Sequence, residues 1–193
     1  MRASPSPTTG RAMKSRARAA LGVVVTAALL GAALIGCGGS HDHTSHDYIG
    51  LLLPGPIRLD PAHEFTSDSV VKDPGGKPGV SKTFTSWDRT LVATILILPD
   101  ASAATGALNQ AKADLPKTMT GASAESVPVG SAGTVVSGMS PDGSKSLCVL
   151  LFTEGKTFTK YEITSDPRDP VSADFLVPVG KSQDERIKAS GVS

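Results

Sequence analysis

The sequence predicts an α+β domain, an antiparallel sheet with helices packed on it, preceded by a signal peptide and a flexible tether. Three observations carry the domain assignment. Residues 80–85 alternate Val80, Lys82, Phe84 with Ser81, Thr83, Thr85, the period-2 pattern of a half-buried strand. Residues 147–153 are almost continuously apolar, as a strand covered by other elements is. Ala101, Ala104, Leu108, Ala111 and Leu115 recur at spacings of 3 and 4, one stripe of a helix.

Taken in chain order, Asp47 is placed to cap a short helical turn over residues 48–53, stopped by Pro54-Gly55-Pro56. Residues 57–59 lead into a polar, loop-like region, and residues 73–79, rich in Pro and Gly, read as an exposed loop. The strand at 80–85 turns through Ser86-Trp87-Asp88-Arg89 and returns as the branched, apolar run 91–98, ended by Pro99. Asp100 follows as a helix N-cap, its carboxylate accepting backbone N–H bonds, and Pro116 should close that helix. Residues 134–139 and 147–153 form the next hairpin, joined by Ser140-Pro141-Asp142-Gly143, and residues 156–164 complete a three-stranded meander. In the last strand Thr157, Thr159, Tyr161 and Ile163 share one face, with Lys156, Lys160 and Glu162 on the other. Asp169-Pro170 should open the final helix, whose stripe is Val171, Phe175, Val179 and Ile187, with a kink or break at Pro178 and Gly180. Phe152 and Phe175 are accordingly expected in the core. The sequence shows no internal repeat.

The first 36 residues have a different character. Arg2, Arg11, Lys14, Arg16 and Arg18 precede an uncharged apolar run at residues 19–35, and no acidic residue occurs before Asp42. A basic head followed by an apolar segment is the pattern of a secretory signal peptide. Those five basic residues leave with the signal, so 14 of 19 Lys and Arg remain against 18 Asp and Glu, a net charge of −4 on residues 37–193. Such a chain lacks the basic stripe that nucleic-acid binding requires. Residues 38–46 contain nothing apolar and read as a tether, leaving residues 47–190 as one domain. Besides Cys37 the chain has only Cys148, inside the apolar strand, where a free thiol behaves as a small hydrophobe.

Leu34-Ile35-Gly36-Cys37, at the end of the apolar run, resembles the lipobox of bacterial lipoproteins at all four positions. That resemblance implies cleavage before Cys37, a diacylglyceryl thioether and further acylation on that residue, and anchoring to the extracytoplasmic face of the cell membrane. Each buried acyl CH₂ adds ~0.8 kcal/mol, and stable anchoring takes two chains. The layout behind the lipobox is similar to that of actinobacterial, mycobacterial-type LpqN lipoproteins, whose domain resembles the Mog1/PsbP-like fold. The similarity rests on Ile95-Leu96-Ile97-Leu98-Pro99-Asp100, Val129-Gly130-Ser131-Ala132-Gly133 and the terminal stretch from Asp174-Phe175 to Gln183-Asp184. It implies an accessory or binding role in the cell envelope, with a protein or lipid partner, and brings no catalytic residues with it.

The residues themselves point to no enzyme and no cofactor. His63 stands alone in Pro61-Ala62-His63-Glu64, a loop histidine by its neighbours, and no Gly-x-Ser-x-Gly elbow occurs. Gly130-Ser131-Ala132-Gly133 precedes a strand, so it is turn chemistry and no phosphate loop. His41, His43 and His46, flanked by Asp42 and Asp47, suit weak capture of a borderline metal ion, or serve only as a hydrophilic spacer. Trp87 is either an exposed contact residue in its turn or folded back on the sheet edge. The expected function is a non-catalytic binding or accessory module. The alternatives are a lipid or glycolipid carrier, which needs an apolar cavity between sheet and helices, and metal capture by the tether.

Overall fold

The computed structural model describes residues 47–192, apart from 56, 61 and 62. The signal region, Cys37 and the tether with His41, His43 and His46 lie outside the described residues. Among the latter, four strands come first: β1 (Ile57–Asp60), β2 (His63–Lys72), β3 (Gly79–Ser86) and β4 (Arg89–Ile97). Helix α1 (Ala101–Thr118) leads to β5 (Thr120–Ser126), β6 (Ser131–Met139), β7 (Ser146–Glu154) and β8 (Thr157–Ser165), and α2 (Ala173–Ser190) ends the fold. All pairings are antiparallel, in the order β1-β2-β3-β4-β8-β7-β6-β5, so two meanders join where β4 meets β8. The fold is α+β, as the sequence predicts.

β7 explains the architecture. Its side chains alternate faces and are buried almost throughout. Leu147, Val149 and Leu151 pack with Leu108 and Leu115 of α1, while Cys148, Leu150 and Phe152 pack with Leu176, Val179 and Ile187 of α2. The helices therefore cover opposite faces of the sheet. On the α2 face a 3₁₀ turn at Tyr48–Leu51 adds Leu51 and Leu52 over β2 and β3. Burial and a weak contact from the Ser137 hydroxyl act on the Cys148 thiol, and burial prevails, pushing its pKa up.

Two caps stand where the sequence puts them: Asp47 accepts from the Ile49 N–H at 3.3 Å, and Asp100 from the Ala103 N–H at 2.8 Å. Elsewhere the structure differs from expectation. Residues 57–60 and 63–72 form β1 and β2, and His63 starts a strand rather than sitting in a loop. Residues 120–126 form β5, every residue of it exposed. The final meander thus has four strands, β5 included, instead of the three expected. Pro116 does not close α1, which continues to Thr118 with the Met119 N–H bonded to the Leu115 carbonyl. A proline in the last turn loses a single i→i−4 bond, and the final carbonyls need no further turn.

Helix α2 departs most. Its N-cap is Ser172, and Asp169 instead pairs with Arg89 across the sheet end. It runs as one element through Pro178 and Gly180. Its buried positions are Leu176, Val179, Gly180, Gln183, Asp184 and Ile187, whereas Phe175 is only half-buried. Gly180 is needed for close approach: a Cβ there would lie 2.4 Å from a Leu150 methyl and 2.9 Å from Val129. Two polar side chains reinforce the seat. The Tyr161 hydroxyl donates to Gln183 Oε1 at 2.7 Å, and Gln183 Nε2 donates to the Leu51 carbonyl at 2.7 Å, linking β8, α2 and the 3₁₀ turn. Lys188 pairs with Asp184 at 2.6 Å and reaches Glu154 at 3.6 Å, pinning the end of α2 to β7.

Candidate functional site: the β3–β4 tip and its cleft

The β3–β4 hairpin is paired without interruption from Gly79↔Leu96 to Ser86↔Arg89, which leaves Trp87 and Asp88 as a two-residue turn. A turn that tight needs left-handed backbone, and Trp87 supplies it at φ +25°, a region that L residues with large side chains avoid. The indole is fully exposed. Of the two readings open in the sequence, folding back onto the sheet edge is excluded and the indole is exposed. Burying an indole would stabilise the fold, and glycine would relieve the backbone, yet this position does neither.

Beneath the turn lies a cleft of about 560 Å³. It is lined by residues 85–90 of the hairpin, by Glu64 and Thr66 of β2 and by Lys145 of the β6–β7 turn. Thr85, Thr90 and Thr66 belong to the sheet face that carries α1, but α1 lies over β5, β7 and β8. Most of β3 and β4 on that face is thus bare of helix. Ser81, Thr83, Val92 and Thr94 continue it, all half-buried. The Ser81 hydroxyl bonds the Ala93 carbonyl at 2.9 Å and lies 3.0 Å from the Thr94 hydroxyl.

The flanks of the turn are polar and buried. Arg89, 8% exposed, reaches Asp169 in the β8–α2 loop and holds that loop against the hairpin. The Arg89 Nε and the Ser86 Oγ are buried without a hydrogen-bond partner among the described residues. Each such atom costs about 1–3 kcal/mol of lost hydration. Strained backbone, an exposed indole and unpaired buried polar atoms coincide in four consecutive residues, and such strain collects at functional sites.

The neighbouring turns are rigidified by their own carboxylates. Asp142 accepts from the Ser140 hydroxyl at 2.6 Å and from the Ser144 backbone and hydroxyl, and these bonds draw its pKa down to about 2. The Arg168 guanidinium likewise holds Asp166 well below the usual carboxylate range. Lys145 is thereby presented from a fixed turn.

At the opposite end of the sheet, Tyr48, Pro78, Ile97, Leu98 and Pro99 line a more apolar groove of about 420 Å³. Next to Tyr48, Asp47 pairs with Lys72 at 3.7 Å. Among the described residues no three His, Cys, Asp or Glu side chains converge to hold a metal, and no helix is long and apolar enough to cross a membrane. The backbone of His63 starts β2 beside Glu64. Sequence reasoning singled out Trp87 alone of this cleft. Glu64, Thr66, Thr85, Thr90 and Lys145 come from three separate chain segments, and only the strand pairing brings them together. No protein-family model, no characterised protein and no solved structure matches this chain.

Proposed function

We propose that this chain is a lipid-anchored cell-envelope lipoprotein of the LpqN type, held to the extracytoplasmic face of the membrane through Cys37, and that its domain is a non-catalytic binding module. The lipobox at 34–37 supports the anchor. The observation that carries the binding role is Trp87, fully exposed on strained backbone above a polar cleft. Tyr48 lies at one end of the sheet and Trp87 tips the other, roughly 25 Å away along the eight residues of β3.

One observation favours a second reading, a lipid carrier: the apolar groove beside Tyr48 and Ile97. Against it stands the seat of α2, so close on Leu150 and Val129 that no lipid-sized space remains between them at Gly180. The histidines His41, His43 and His46 belong to a third reading, weak metal capture by the His-rich stretch that precedes the domain.

Two experiments test the proposal. Cys37→Ala should abolish incorporation of labelled fatty acid and release the protein from the membrane fraction; retained label would refute the anchor. A photo-crosslinking residue in place of Asp88, in intact cells, should give adducts that the same residue in place of Lys117 on α1 does not. Identical adducts from both positions would refute a site at the hairpin tip.

A further inference from the structure

We propose that the ligand of the Trp87 cleft is a polysaccharide strand of neutral or N-acetylated hexopyranose units, an inference that rests on the binding role assigned to this cleft above. A pyranose ring has two surfaces of opposite character, a patch of axial C–H groups and a rim of hydroxyls. Its recognition needs an exposed flat aromatic for the first and short hydroxyl and carboxylate groups for the second. The cleft offers that division. Trp87 supplies the aromatic plate, and Asp88 and Glu64 bring carboxylates that accept bonds from sugar hydroxyls. Thr66, Thr85 and Thr90 both donate and accept.

The lining also separates a glycan from a protein partner. None of the residues bordering the cleft is aliphatic. A protein interface surrounds its aromatic anchor with a core that is about 65% apolar, and nothing here would form one. Opposite charges are both present, Lys145 with Glu64 and Asp88, so no single-sign field selects a strongly anionic or cationic ligand.

A second feature gives the ligand its shape. From Thr85 and Thr90 the helix-free sheet face continues through Thr83 and Ser81 of β3 and Val92 and Thr94 of β4. Strand residues two apart stand about 6.6 Å from one another on a face. The β3 hydroxyls of Thr85, Thr83 and Ser81 therefore form a polar row leading away from the turn, beside Thr90, Val92 and Thr94 of β4, suited to an extended chain rather than to a single sugar.

Trp87 is the chain's single tryptophan, so intrinsic emission reports on this site alone. The test uses the full chain in detergent, titrated with the tetrasaccharides of β-1,4-linked N-acetylglucosamine, β-1,4-linked glucose and α-1,4-linked glucose. At millimolar concentration at least one should shift the emission to shorter wavelength and protect it from iodide. Calorimetry should then show the same affinity in Lys181→Ala and a roughly tenfold or greater loss in Trp87→Ala. Unchanged emission with all three sugars, or calorimetric binding that survives Trp87→Ala, overturns the proposal. If the sugars are silent while the crosslinker at Asp88 still captures a protein specifically, the binding module stands and the glycan is excluded.

Discussion

Strand β7 and the β3–β4 hairpin are both apolar hairpin arms of one sheet, yet they do opposite work. β7 has α1 over one face and α2 over the other, and Leu147 to Phe152 fill both layers. The hairpin has one covered face, with Val80, Phe84, Leu91 and Ile95 inside, while its other face is half-buried Ser, Thr and Val, joined by Leu96 at the end that reaches α1. Its tip then carries a residue that costs stability. The difference shows where the protein has put packing and where it has left surface.

The largest effects belong to the doubly covered strand. Phe152→Ala should destabilise by ~3–5 kcal/mol in chemical denaturation, since the ring is wholly buried between β7 and α2. A cost under ~1 kcal/mol would mean the α2 layer is loosely seated. Leu176→Ala should cost ~2–5 kcal/mol and exceed Phe175→Ala, because Leu176 is buried and Phe175 sits at the edge. The reverse order would put Phe175 in the core, as the sequence suggests.

Smaller, but specific to the polar seam, is Tyr161→Phe. It removes one hydroxyl and leaves Gln183 Oε1 buried without its donor, for ~1–3 kcal/mol. Burial also pushes the Tyr161 phenol up from its ordinary value. With the folded pKa above the unfolded one, the stability it contributes is intact below the ordinary tyrosine range and is lost as pH rises beyond it. A wild-type loss of stability above about pH 10 that Tyr161→Phe reduces would show this in pH-dependent denaturation. An identical alkaline profile would assign the loss elsewhere.

The smallest effect is expected at the tip. Trp87→Gly should leave stability within ~0.5 kcal/mol of wild type or raise it, as glycine accepts the positive φ without strain. A loss above ~1 kcal/mol would show that the indole packs.

The same contrast explains what the sequence discloses. β7, β8 and the α1 stripe are legible because their burial is itself a pattern of apolar residues. Among the described side chains of β2 only Phe65 is buried, and β5 has no buried residue, so neither leaves an alternation to read. In α2 the expected Val179 and Ile187 are buried, but the face is completed by Leu176, Gly180, Gln183 and Asp184, which no apolar stripe marks, and Phe175 falls at its edge. The site is less legible still. Trp87 is conspicuous in the sequence, but its exposure depends on the turn geometry, and its companions in the cleft are ordinary Thr, Glu and Lys residues until the sheet pairs.

The most direct measurement is iodide quenching of the single tryptophan in the free, full-length protein. Trp87 standing clear of the sheet gives water-like, red-shifted emission and quenching close to that of a free indole, collapsing only when the cleft is occupied. Emission that is blue-shifted and shielded from iodide in the free protein would mean the indole folds onto the domain, and with it the binding end would be lost.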